Sequence, residues 1–87
     1  GKKYRTIRSN LSTIETLAWS PDGMQLACAG SDSCVQVWNV HTGRLLQTYT
    51  DHADTITCVV WSPDSTMLAS ASDDGTVHVY PAIGRLS

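Results

Sequence analysis

Trp19-Ser20-Pro21-Asp22 returns as Trp61-Ser62-Pro63-Asp64, and the shift of 42 residues that superposes these tetrapeptides superposes the chain around them as well. Residues 14–38 align with residues 56–80 without a gap, and eleven of the 25 aligned positions are identical. Beyond the tetrapeptide these are Ile14 with Ile56, Leu26-Ala27 with Leu68-Ala69, Ala29 with Ala71, Asp32 with Asp74, Val35 with Val77, and Val37 with Val79. The register continues upstream, where Gly1 falls on Gly43, Thr6 on Thr48 and Thr13 on Thr55. The 87 residues therefore read as two units, 1–42 and 43–87.

Each unit consists of short strand signals divided by turn residues. Residues 55–61, Thr-Ile-Thr-Cys-Val-Val-Trp, are β-branched and aromatic and are apolar on both parities, the mark of a strand covered on both faces. Ser62-Pro63-Asp64-Ser65 stops it, because proline presets φ for the second position of a tight turn and Asp bonds to nearby backbone. Residues 67–72 form the next strand and Asp73-Asp74-Gly75 the next turn. Residues 76–80 then alternate with period two as a third strand, which Pro81 ends. Unit one places the same strands at 24–30 and 34–38 around Ser31-Asp32-Ser33. Residues 45–50 and the basic stretch 3–8 supply a fourth strand in each unit. Nothing competes as a helix, so the fold class is all-β, two four-stranded antiparallel sheets.

Composition excludes several functions. Apolar residues at 41% with 16% charged predict a folded chain, and a formal net charge of −2 argues against a nucleic-acid binder. Lys2, Lys3, Arg5 and Arg8 are four of the six basic residues, and charges that protect a solvated outer strand account for them. No apolar run approaches the roughly 20 residues needed to cross a bilayer, and no apolar stretch follows the basic N-terminal residues as a secretory signal requires. An intracellular, cytoplasmic protein without a membrane partner is expected. Cys28, Cys34 and Cys58 match neither a disulfide framework nor paired metal knuckles. Reduced thiols, no metal and no cofactor are the expectation.

Four strands in about 42 residues, with Ser-Pro-Asp after an aromatic, Leu68-Ala69-Ser70, the turn Ser72-Asp73-Asp74 and Val35-Gln36-Val37-Trp38, resemble the WD-repeat β-propeller family. The likeness covers the whole chain, with departures. Trp38 is followed by Asn39, unit two ends in Tyr80-Pro81, and the Gly-His element of the family stands as Asp51-His52 and Ser9-Asn10. The resemblance implies a structural network: in unit two His52, Ser70 (or Ser72), Asp74 and Tyr80, in unit one only Asp32 and Trp38, with Asn10 and Cys28 at the His and Ser places. A buried Asp with an incomplete set of donors costs about 1–3 kcal/mol. His52, Ser70 and Asp74 are also the residue types of a hydrolase triad. That chemistry needs an accessible Oγ, an oxyanion hole and a pocket, and no G-x-S-x-G elbow occurs. A non-catalytic chain is expected, with His41 and His78 as solvated side chains.

Two blades hide one shared interface and leave two apolar faces, so Trp19, Met24, Leu26, Val35, Trp61, Met67, Leu68 and Val77 are expected to be partly exposed in a monomer. Each unit begins with the outermost strand of one blade and ends with the third strand of the next. Lys3, Tyr4, Arg5, Thr6, Ile7 and Arg8 thus lack a partner within the chain, while Thr76, Val77, His78, Val79 and Tyr80 lack an outer strand. The expectation is a closed β-propeller completed by other chains, a homo-oligomeric ring of three or four copies sealed by intermolecular strand exchange, or by a longer parent chain. The resemblance implies a scaffold that binds proteins or peptides on the flat ends of the ring. Candidate contacts are Leu11, Ser12, Thr13, Asp32, Ala53, Asp54, Thr55 and Asp73. The alternative is a fragment of a longer propeller, or an engineered or evolutionary two-blade unit with no function of its own.

Overall fold

A computed structural model describes residues 6–9 and 11–82. It contains seven strands in two antiparallel sheets. The first sheet has the order β1 (Thr16–Trp19), β2 (Gln25–Ala29), β3 (Val35–Asn39), β4 (Arg44–Tyr49), and the second β5 (Ile56–Trp61), β6 (Met67–Ser72), β7 (Val77–Pro81). Neighbours in sequence are neighbours in each sheet, as short hairpins dictate. Among the described residues no helix is long and apolar enough to cross a membrane.

The repeated tetrapeptide makes the same turn twice. Ser20 Oγ donates to Asp22 Oδ1 at 2.6 Å and accepts from Gln25 N at 3.0 Å, and Gly23 follows at φ 76. In the second sheet Ser62 Oγ donates to Asp64 Oδ1 at 2.7 Å and accepts from Met67 N at 2.9 Å, and Ser65 takes the left-handed place at φ 65. Asp closes the loop through its side chain in both, which fixes the β1–β2 and β5–β6 registers of Trp19 opposite Leu26 and Trp61 opposite Leu68. At the β3–β4 connection Asn39 Oδ1 accepts from His41 N and Thr42 N, at 2.8 and 3.0 Å.

One strand expectation needs correction. Lys3, Tyr4 and Arg5 lie outside the described residues, and Thr6, Ile7 and Arg8 belong to no strand. The edges of the first sheet are β1 and β4. Pro81 ends β7, as its last residue opposite Met67, while Ala82 N donates to Thr66 O at 2.8 Å. Its missing N–H falls on the outer edge of β7, where no strand among the described residues asks for it.

The core lies between the sheets. Ala27, Ala29, Val35 and Val37 of the first sheet meet Ile56, Val59 and Leu68 of the second, all nearly free of solvent, with Ala18, Tyr49 and Trp61 at the margin. Alanines on β2 let the second sheet approach, and two bonds fix the approach: Trp61 Nε1 donates to Ala18 O at 2.8 Å and Ile56 N to Gly30 O at 3.1 Å. Val35 and Leu68, expected at a free face, are therefore buried, whereas Trp19, Met24, Met67 and Val77 are exposed.

Candidate functional site

His52, in the loop that leads into β5, reaches inward over the second sheet. Its ring is buried, with Nε2 2.7 Å from Ser70 Oγ on β6 and Nδ1 3.1 Å from Asp74 Oδ2 in the β6–β7 turn. With Asp74 ionised, Nδ1 carries the proton and donates to it, and Nε2 accepts from the Ser70 hydroxyl. Asp74 also accepts from Ala53 N and Thr76 N, each at 2.8 Å, and from the Thr76 hydroxyl. The Thr76 hydroxyl, followed by the Ala53 amide, holds the Asp74 carboxyl well below the usual carboxylate range. Ser70 rather than Ser72 meets the histidine; Ser72 Oγ donates to Asp54 O at 3.0 Å and accepts from Asp74 N at 3.0 Å.

Tyr80 stays apart from these bonds. It is buried and stacks on Tyr49, ring centroids 4.0 Å apart, and its hydroxyl makes no well-formed hydrogen bond although Ser70 is near. Burial pushes that phenol above its ordinary value. Tyr49 Oη in turn donates to Pro81 O at 2.9 Å, tying β4 of one sheet to β7 of the other. His78 is not a solvated side chain: it is half-buried, its ring edge-on to His52 with centroids 4.4 Å apart. Its neighbours in the β7 alternation, Val77 and Val79, are the exposed ones, because the histidine parity faces the first sheet.

In the first sheet Asn10 lies outside the described residues, and Asp32 is exposed, accepting from Ser12 N at 2.8 Å. The penalty for a half-satisfied buried Asp therefore does not arise. Cys28 is buried at the serine place, and burial raises its thiol above the ordinary value. The Trp38 indole nitrogen beside it is buried without a well-formed hydrogen bond. Ser9 Oγ donates to Gln36 Oε1 at 2.5 Å. Gln36 stands where unit two has His78, and a polar residue recurring after 42 residues on an alternating strand is the signal that could have found both.

The remaining candidates gather where the loops before β1 and β5 meet the β2–β3 and β6–β7 turns. Thr13 Oγ1 donates to Ser31 Oγ at 2.7 Å, and Asp73 N donates to Thr55 O at 2.9 Å. Thr13, Asp32, Ala53, Asp54 and Asp73 are exposed there, and Leu11 and Thr55 half-buried. Among the described residues no group of three or more His, Cys, Asp or Glu is placed to hold a metal ion.

The model of the family described as "WD domain, G-beta repeat" matches residues 1–39 and 43–80. Among curated proteins, Protein hir-1 of Neurospora crassa is 37% identical over 51 residues, 59% of this chain and 5% of that protein. The WD repeat-containing protein slp1 of Schizosaccharomyces pombe is 38% identical over 47 residues, 54% of this chain and 10% of its own length. WD repeat domain-containing protein 83 of Danio rerio is 33% identical over 49 residues, 56% of this chain and 16% of its own. The chain thus spans a small part of the relatives that it matches.

Proposed function

The chain belongs to the WD40 repeat family, and on that premise we propose that it is a non-catalytic scaffold that binds proteins or peptides. The observation that carries this reading is the division of labour at the loop end of the sheets. His52 and Ser70 are turned inward, buried and bonded to each other, so neither offers a reacting atom to a substrate. Together with Asp74 they act as a structural network. Thr13, Asp32, Ala53 and Asp73 form an exposed rim beside them.

Carboxylates repeated around such a rim favour basic peptides. Fluorescence anisotropy with a labelled arginine-rich peptide and its neutral counterpart tests the reading. Binding that is restricted to the basic peptide, weakens with salt and drops in Asp32→Asn/Asp73→Asn supports it. Equal binding of both peptides, or none, overturns it.

The ring reading holds that residues 3–8 of one copy add to the outer edge of β7 in another, giving rings of three or four chains. The second sheet has three strands among the described residues where the first has four, and β7 is its open edge. Removal of residues 1–8 is expected to abolish assembly, and an unchanged oligomer overturns strand exchange. A second reading, in which the two repeats are part of a longer array, is favoured by the 4% to 16% of the relatives' length that they span.

A further inference from the structure

The two free sheet faces repeat, 42 residues away, the two halves of the interface buried inside the chain. Within it, Ile56, Val59, Trp61 and Leu68 of the second sheet lie on Ala18, Ala27, Ala29, Val35 and Val37 of the first. The counterparts of the former are Ile14, Leu17, Trp19 and Leu26, on or leading into the outer face of the first sheet. Those of the latter are Val60, Ala69, Ala71, Val77 and Val79, on the outer face of the second.

Exposure separates each pair. Ile56 and Val59 are 0% and 3% exposed, against 48% and 59% for Ile14 and Leu17. Val35 and Val37 are 0% and 2% exposed, against 65% and 58% for Val77 and Val79. Each free face repeats residues of a partner already fitted once by the other half of the same repeat, with the exposed Glu15 between Ile14 and Leu17 at the margin of the first.

We infer that a second copy of this chain docks head-to-tail, its Ile14, Leu17 and Trp19 seated on Val60, Val77 and Val79 of the first. The inference rests on the ring reading and names its contact surface. The internal bond from Trp61 Nε1 to Ala18 O has as its counterpart a bond from Trp19 Nε1 of the second copy to Val60 O of the first. That from Ile56 N to Gly30 O becomes one from Ile14 N to Ser72 O. The bond from Tyr49 Oη to Pro81 O has no counterpart, because the second sheet has no equivalent of β4 among the described residues, and a second bond lacks one too. Asp22 N donates to Ser65 Oγ at 3.1 Å, but Gly23 holds the place of Ser65, with no side chain to receive the partner's Asp64 N. The docking is heterologous, so each copy uses one face forward and the other back, and copies continue until the ring closes.

Sedimentation velocity on the full 87-residue chain over a wide concentration range tests this. Val60→Asp blocks one face and Trp19→Asp the other, each at an exposed position, and each places a charge in an apolar contact, weakening self-association at least about tenfold. Mixed, the two variants retain one intact pair of faces and form a dimer that does not grow. Gly23→Ser restores the missing acceptor and tightens association about fivefold, the fold-change of one added hydrogen bond. A monomeric wild type overturns the inference, as does self-association of either blocked variant by an isologous contact. Undiminished assembly of both variants, lost only on removal of residues 1–8, overturns the face contact and leaves strand exchange standing.

Discussion

His52 Nδ1 lies 3.1 Å from Asp74 Oδ2, and this bond joins the loop before β5 to the turn that follows β6. It is one arm of a bridge whose other arm is the buried Ser70 hydroxyl. His52→Ala leaves Ser70 inside the sheet without its acceptor, a loss of about 1–3 kcal/mol. In a domain of this size that lowers the thermal midpoint by roughly 4–20 °C, with calorimetry or circular dichroism as the readout. Asp32→Asn, at the corresponding but exposed turn of the first sheet, is expected to change the midpoint by no more than a few degrees.

Acid is expected to destabilise the fold in a defined window. The Thr66 hydroxyl, then the Ser62 hydroxyl, hold Asp64 at about 2, and Asp74 lies below its usual range as well. A carboxylate with a depressed folded value contributes stability that is fully present above its unfolded value. It loses that contribution as pH falls through the folded value. Thermal midpoints should hold steady above about pH 4 and decline towards pH 2. Asp64→Asn, which does not titrate, should show a shallower decline, and an unchanged slope would assign the acid response elsewhere.

The strands and their turns were legible in the sequence because both depend on local chemistry: β-branched runs bounded by Ser-Pro-Asp. The surroundings of individual side chains were less so. Period-two alternation on β7 separates His78 from Val77 and Val79 but cannot say which parity meets water, since both faces of a propeller sheet are made to pack. The histidine parity meets the first sheet and the valines lie open. Asp32 matched Asp74 in sequence yet is exposed and accepts from Ser12 N, whereas the half-buried Asp74 also meets the His52 ring. Tyr80 occupies the place of an indole and spends its ring on Tyr49, a residue 31 positions away that no local pattern connects to it.

Thiol reactivity should follow burial. Cys58 is exposed, Cys34 half-buried and Cys28 buried. Burial raises the Cys34 and Cys28 thiols, with the Asp32 charge adding to the effect at Cys34. Thiolate is the attacking form, so alkylation at neutral pH is expected first at Cys58, then Cys34, and at Cys28 only through unfolding. Time-resolved mass spectrometry of iodoacetamide adducts checks the order. Early modification of Cys28 would mean that the outer face of the first sheet opens readily.

Gly30 is set by a close approach of backbone and not by an unusual φ. A Cβ at this position would sit 2.1 Å from Thr13 O and 2.9 Å from its carbonyl carbon, both backbone atoms that cannot rotate away. The neighbouring bond from Glu15 N to Ala29 O, at 2.8 Å, holds the incoming segment against the end of β2. The carbonyl of Gly30 accepts from Ile56 N across the sheets, so displacement of either strand also disturbs the interface. Gly30→Ala is therefore expected to cost about 1–3 kcal/mol or more, with a lower thermal midpoint and increased exposure of Trp61 in fluorescence. Gly30→Ser is expected to behave no better. At the corresponding place in the second sheet Ser72 Oγ bonds Asp54 O at 3.0 Å, whereas in the first sheet the clash occurs at the Cβ, before any hydroxyl can find a partner.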